Sequence, residues 1–135
     1  MHVIAIYQMD VIMPLLGNNF LANMPGTRHR ITTNSNRLMI LKANQQCIIC
    51  GLVGAFWKLE MHSSAPRPHL GLYAFELNKR GEHILMTVDH IMPKSLGGSK
   101  ELNNLQTMCT ICNNLKANRA NTIEVIESIR LKRQN

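Results

Sequence analysis

The chain has 135 residues, the length of one typical domain, and 45% of them are apolar. Only 17% are charged, so the composition excludes a wholly disordered chain. The 15 Lys and Arg residues outnumber the 8 Asp and Glu residues, and the net charge of +7 favours a polyanionic partner, either nucleic acid or an anionic membrane surface. Because no apolar run reaches about 18 residues, we expect no membrane-spanning segment.

Residues 1–46 are predicted to form an N-terminal extension with two short elements. The apolar residues 3–7 predict a strand, and residues 37–46 predict a helix after a polar segment that offers N-cap residues. The first 16 residues contain Asp10 and Pro14 but no Lys or Arg, a composition that fits a secretory signal poorly. We therefore expect a cytoplasmic protein.

All four cysteines occur in two C-x-x-C pairs, Cys47 with Cys50 and Cys109 with Cys112. The two-residue spacer lets both thiolates of a pair turn toward one point, and two such pairs complete a tetrahedral zinc site. A disulfide framework is typical of small secreted proteins, and a thioredoxin-like redox centre uses one pair beside a βαβ unit. The pattern therefore favours a structural zinc ion, with no open coordination position, over these two alternatives.

The rest of the chain predicts a hairpin, a loop, a further strand and two helices. Asn78 to Gly81 supply a turn between two apolar segments, and Pro93, Gly97 and Gly98 break regular structure in the loop. In chain order the segments are strands at 72–77 and 84–88, a loop at 92–103, a strand at 105–108, a helix from the second cysteine pair to about Arg119, and a basic amphipathic helix within residues 120–135.

One stretch of this region combines several polar residues at characteristic spacing. They are Asp89 and His90 at a strand end, the pair Gly97 and Gly98, Asn104 before Leu105 and Gln106, and Asn113 directly after Cys112. Together with the cysteine pairs, this pattern resembles the HNH endonuclease family, also called ββα-metal or His-Me finger nucleases, over about residues 47–119. The resemblance implies an α+β fold with a small ββα-metal core, a four-cysteine zinc site and flanking helices.

The resemblance also implies roles for individual residues. His90 matches the general base that takes a proton from the attacking water, and an imidazole is mostly neutral at cytosolic pH. Asp89 matches a metal ligand, and Asn113 in the last motif position makes this the H-N-N variant. Two hard oxygen ligands suit Mg²⁺ or Mn²⁺. Asn104 matches the residue that hydrogen-bonds the loop backbone and holds the histidine.

Three lysines near these residues are candidates for contacts with substrate phosphates: Lys94 and Lys100 in the loop, and Lys116 one helical turn after Asn113. Each motif residue also has a plainer interpretation when it is taken singly. An Asp-His pair is often a surface or capping pair, an Asn often a turn residue, and a helix lysine often solvated. The combined spacing beside a cysteine knuckle favours the functional interpretation.

The resemblance thus implies a bacterial or phage metal-dependent endonuclease that hydrolyses DNA and leaves 5′-phosphate ends. One ββα site cuts one strand, so a monomer should nick, whereas a double-strand break would need a dimer or two encounters. Three alternatives remain open: a non-catalytic zinc module that binds nucleic acid, an HNH nuclease acting on RNA or branched DNA, and a membrane-surface protein. The last alternative rests on charge alone.

Overall fold

The computed structural model describes residues 2–18 and 20–134. Within these residues the chain forms strands and α-helices in mixed order, together with three short 3₁₀ turns. In chain order they are β1 (His2–Gln8), α1 (Met9–Ile12), β2 (Leu21–Asn23), β3 (Arg30–Thr32), α2 (Asn36–Ala43), β4 (Phe56–Met61), β5 (His69–Leu77), β6 (His83–His90), β7 (Leu105–Cys109), α3 (Thr110–Lys116) and α4 (Ile123–Gln134).

Five strands form one antiparallel sheet in the order β1-β4-β5-β6-β7, and β2 pairs with β3 in a separate ribbon. Residues 70–74 in β5 are buried without alternation, so both faces of the sheet are covered at its centre. Trp57 and Leu59 in β4 and Leu72 in β5 are fully buried, and Leu38 and Leu41 of α2 belong to the same core. The α+β fold class predicted from the sequence is confirmed.

Most predicted elements are present, with shifted ends. The helix expected at residues 37–46 ends at Ala43, because Asn44 is extended. The helix that follows the second cysteine pair ends at Lys116 and not near Arg119, because Ala117 has a φ of 52°, in the left-handed region. Strand β4 and the β2–β3 ribbon were not predicted, and β1 extends the predicted strand and lies at an edge of the main sheet.

The site region has the connectivity expected of a ββα unit. Strand β6 ends at His90, a loop with two 3₁₀ turns follows, β7 returns antiparallel to β6, and α3 then packs on both strands. Helix α4 packs on α3 and buries Ile129 in the core. None of the helices in the described part of the chain has the length and apolarity that crossing a membrane requires.

Candidate active site and metal centre

The four cysteine sulfurs converge on one point. One ligand atom from each of Cys47, Cys50, Cys109 and Cys112 lies within 4.8 Å of all the others, and the Sγ atoms of Cys50 and Cys109 are 3.7 Å apart. Zinc–sulfur bonds of about 2.3 Å in a tetrahedron separate the sulfurs by about 3.8 Å. All four cysteines are free of disulfide bonds. The cluster therefore fits a tetrahedral metal ion and not a disulfide framework.

Local structure brings the two pairs together. The first pair lies in the turn after α2, closed by a bridge between Gln46 and Val53, and the second lies at the junction of β7 and α3. The Ile48 amide donates to the Thr107 carbonyl at 3.1 Å, which joins the first turn to β7. Cys109 also caps α3, because its Sγ accepts a hydrogen bond from the Cys112 amide. The sheet thus fixes one pair relative to the other.

The four sulfurs lie close enough together to influence one another's ionisation. Hydrogen bonds from Cys109 and Cys112 hold the pKa of Cys47 far below its ordinary value. Hydrogen bonds with Cys109 and Cys47, together with burial, raise the pKa of Cys112. One thiolate at this spacing therefore suppresses ionisation of its neighbours, and a soft divalent ion is the group that neutralises several thiolates at once.

Helix α4 lies against the same cluster. Arg130 Nε donates to the Ile49 carbonyl at 3.0 Å, and Arg133 Nη2 approaches Cys50 Sγ at 3.7 Å. The sequence identifies these residues as basic but gives no signal of their partner, because they lie some eighty residues from the first pair. Arg133 places positive charge beside sulfurs that carry excess negative charge when they bind a divalent ion.

A row of three hydrogen bonds joins α3 to one face of β6. The helix residues are three apart and the strand residues two apart, so both sets point into the same interface. The bonds run from Thr110 Oγ1 to the Leu85 carbonyl (2.5 Å), from Asn113 Nδ2 to Thr87 Oγ1 (2.8 Å), and from Lys116 Nζ to Asp89 Oδ2 (2.5 Å). Asp89 and Asn113 therefore lie in adjacent positions of one interface.

Lys116 does not occupy the position that a phosphate-binding residue needs. Its side chain is 1% exposed, and its ammonium group donates both to Asp89 Oδ2 and to the His90 carbonyl at 2.7 Å. The expected contact between Lys116 and substrate phosphate is thus corrected, because the ammonium is buried and already paired. The helical spacing correctly put Lys116 on the face of Asn113, but it gave no information on the strand beneath that face.

His90 points to the opposite face of the sheet from Asp89, as alternation along β6 requires. It lines a cavity of about 280 Å³ together with Asn36 and Arg37 of α2 and with Lys94 and Lys100 of the loop. We call this the His90 cavity. The structure thus brings His90, Lys94 and Lys100 together on one face, and Asp89, Asn113 and Lys116 on the other.

Asn104 holds the loop that follows His90. Its Oδ1 accepts from the Met92 amide at 2.9 Å, and its Nδ2 donates to the carbonyls of Met92 and Ser99. Two glycines shape the same loop: Gly97 has a φ of 91°, and a β-carbon on Gly98 would overlap the Met92 carbonyl oxygen. The Gly-Gly pair is therefore explained by one left-handed residue and one close backbone approach.

Arg37 belongs to this site although it lies outside the HNH motif; its charge made it a candidate for contact with DNA. It contributes to the His90 cavity from α2, and its Nη2 donates to the Leu70 carbonyl at 2.7 Å. Burial lowers the pKa of Arg37, but a guanidinium stays protonated at neutral pH. The sequence offers no other sign that Arg37 lies near His90, because α2 is distant from His90 along the chain.

The donor set of Asp89 and Asn113 is compatible with a hard divalent cation. Both side chains offer an oxygen, and Asn113 Nδ2 is bonded to Thr87, which leaves the amide oxygen as the group that can bind a metal. Lys116 occupies only one carboxylate oxygen of Asp89. Among residues 2–18 and 20–134, the cysteine cluster is the one place where three or more His, Cys, Asp or Glu side chains lie close enough to hold an ion. An ion at Asp89 and Asn113 would therefore need water or substrate as further ligands.

Comparison with known protein families identifies a match within this site. Residues 78–119 match the family model described as HNH endonuclease, which spans the β5–β6 turn, β6, the loop, β7 and α3. No curated protein and no solved structure matches the chain. The resemblance to the HNH endonuclease family is therefore confirmed for residues 78–119, and the cluster of four cysteines fits the zinc-binding variant of that family.

Proposed function

We propose that this protein is a metal-dependent endonuclease that hydrolyses phosphodiester bonds in DNA. One observation carries the proposal: in a segment that matches the HNH family, His90 ends β6 inside a cavity that Arg37, Lys94 and Lys100 also line. Such a cavity attracts a phosphate and offers an imidazole beside it. A module that only binds nucleic acid has no need of that imidazole.

His90 acts as the general base in this proposal. Its neutral imidazole takes a proton from water as the oxygen attacks the phosphorus. Asn104 acts through the loop backbone and is a positioning residue. Lys94 and Lys100 are both exposed and bind the phosphates that flank the scissile bond.

Asp89 and Asn113 would hold Mg²⁺ or Mn²⁺ through their side-chain oxygens. Because Asp89 and His90 point to opposite faces of β6, the scissile phosphate would lie at the end of that strand, where both side chains can reach it. An ion bound there would supply positive charge to the scissile phosphate and to the leaving oxygen. The Lys116 ammonium orients the Asp89 carboxylate by a hydrogen bond to Oδ2. It also donates to the His90 carbonyl and so fixes the backbone between Asp89 and His90. The four cysteines bind a zinc ion that is structural, because four sulfurs complete its tetrahedral coordination.

The test is conversion of a supercoiled plasmid to the nicked form by the wild type, by His90→Ala and by His2→Ala, a control at an exposed histidine of β1. We expect nicking with Mg²⁺ or Mn²⁺ by the wild type and the control. His90→Ala should lose about 100-fold or more in rate, the usual size of a general-base contribution. His90→Ala that nicks at the wild-type rate would contradict the assignment.

Metal dependence needs a separate control, because EDTA can also remove a structural zinc ion. The zinc content of the protein should be measured before and after brief EDTA treatment. Loss of nicking with unchanged zinc content, reversed by added Mg²⁺, would assign the effect to the second ion. Bound but uncut plasmid under all these conditions would favour the alternative of a zinc-stabilised binding module, and cleavage of RNA alone would favour an RNA nuclease.

A further inference from the structure

A second cavity adjoins the His90 cavity through Arg37. It has a volume of about 330 Å³ and is lined by residues of α2, of the segment before it and of the start of β5. Arg37 and Arg67 supply its cationic groups, and Ile31, Leu38 and Leu70 are among its apolar residues. We call this the distal cavity. Arg37 lines both cavities, so they are neighbours along one face of the molecule.

The charge along this face has one sign. Arg37, Arg67, Lys94 and Lys100 contribute four cationic side chains, and none of the Asp or Glu residues that the structure describes lines either cavity. Continuous charge of one sign in a concave surface raises the local concentration of an oppositely charged polymer. A single phosphate would be satisfied by one or two of these groups, whereas a row of them fits a chain of phosphates.

The wall between the two cavities is fixed by hydrogen bonds. Arg37 Nη2 is held by the Leu70 carbonyl, and Asn36 Nδ2 donates to the Lys100 carbonyl at 3.2 Å. Helix α2 is therefore attached both to β5 and to the loop that follows His90. The hydrogen bond to Leu70 already fixes the Arg37 side chain, so a phosphate that binds its remaining N–H groups costs little further loss of side-chain freedom. Arg37 is therefore pre-organised for a phosphate.

We propose that a strand of the nucleic-acid substrate continues from the His90 cavity across Arg37 into the distal cavity, where Arg67 binds its backbone. The inference rests on the proposed function and extends it, because it assigns substrate binding to residues outside the segment 78–119. The N-terminal 46 residues supply Arg37, and the β4–β5 connection supplies Arg67.

The test compares Arg67→Gln with Arg28→Gln. Both arginines are exposed and both substitutions remove one charge, but Arg28 lies at a separate surface beside Thr27 and His29. Binding of a fluorescent 30-base-pair duplex is measured by anisotropy at several KCl concentrations without divalent ions. Each phosphate contact contributes about 0.9 to the slope of log affinity against log salt concentration for duplex DNA. We expect Arg67→Gln to reduce this slope by about 0.9 and Arg28→Gln to leave it unchanged.

The outcomes separate this inference from the proposed function. Equal slopes for the two variants, with a wild type that binds and nicks DNA, would overturn the distal path and leave the nuclease intact. A wild type that neither binds nor nicks DNA would overturn both. A reduced slope for Arg67→Gln, with the melting temperature and zinc content of the wild type, supports a contact between Arg67 and the DNA backbone.

Discussion

Lys116 and Asp89 form a pair between α3 and the end of β6, and both are largely removed from solvent, with 1% and 15% of their side chains exposed. An ion pair in this setting gains from low local dielectric but requires both partners, because a single buried charge is poorly solvated. The pair therefore ties the helix to the strand end and holds the Asp89 carboxylate in one orientation. A conservative change on either side should be costly.

Lys116→Met is expected to destabilise the protein by about 3 kcal/mol, because it leaves Asp89 without its partner. Urea denaturation gives the free energy of unfolding, and the double variant with Asp89→Asn should recover part of the loss. Lys94→Met, at an exposed loop lysine, is the matched control and should change stability by less than about 0.5 kcal/mol. Equal effects of the two lysine variants would show that the pair contributes nothing.

Gly98→Ala is expected to displace the loop after His90, because its β-carbon would meet the Met92 carbonyl oxygen. Backbone cannot yield as a flexible side chain does, so we expect a lower melting temperature and a nicking rate reduced about tenfold or more, since small displacements of a catalytic group are costly. Ser95→Ala in the same loop is the control. Wild-type nicking by Gly98→Ala would show that the loop tolerates a shift without moving His90.

At the scale of elements, local sequence predicted the ββα unit well. Strands β6 and β7 and the start of α3 follow from apolar runs and turn residues within a few positions. The end of α3 could not be predicted in the same way, because it lies at Ala117, an alanine with a left-handed φ where a glycine would be expected. Strand β4 was not predicted, because the charged residues Lys58 and Glu60 interrupt its apolar residues and Glu60 is buried although it is charged.

Helix α4 is expected to stabilise the metal centre through Arg133, whose guanidinium approaches Cys50 Sγ. Substitution of groups that contact a metal ligand commonly weakens metal affinity 10–100-fold. Arg133→Met should therefore release zinc to a chromogenic chelator about tenfold faster than the wild type. The neighbouring Lys132→Met, at an exposed position, is the control. Release at the control rate would mean that the sulfur contact does not strengthen binding.

Cys109→Ser should have a larger effect than Arg133→Met. It removes a buried ligand and also the sulfur that caps α3, so the tetrahedral site cannot close. A structural zinc ion contributes on the order of 10 kcal/mol to folding, so the variant should purify with reduced zinc and show no cooperative thermal transition. Zinc analysis and calorimetry measure both effects. Unchanged zinc content and melting temperature would contradict the four-cysteine site.

At the scale of the whole molecule, the parts of the site that sequence reasoning missed are those built by distant segments. The cysteine pairs and motif residues were found because their spacing is local. The His90 cavity was not, because α2 supplies Asn36 and Arg37 from more than fifty residues away. The burial of Lys116 was missed for the same reason, since it depends on how α3 lies on β6. Packing between elements has no short sequence pattern.

The same reasoning predicts how the N-terminal 46 residues contribute to stability. Strand β1 pairs with β4 along its length, and α2 buries Leu38 and Leu41 against the core that contains Trp57. A zinc-loaded fragment of residues 47–135 would expose this core and lose a strand of the sheet. Because Trp57 is the one tryptophan of the chain and is fully buried, its emission reports the loss directly.

We expect the fragment of residues 47–135 to show red-shifted Trp57 emission and no cooperative thermal transition, whereas the full chain shows blue-shifted emission and a single transition under the same conditions. The loss follows from the apolar area that β1 and α2 remove from water, at about 25 cal/mol per Å². A fragment that retains buried emission, zinc and a cooperative transition would instead establish residues 47–119 as a domain that folds without its N-terminal extension, and α2 would then serve the His90 cavity alone.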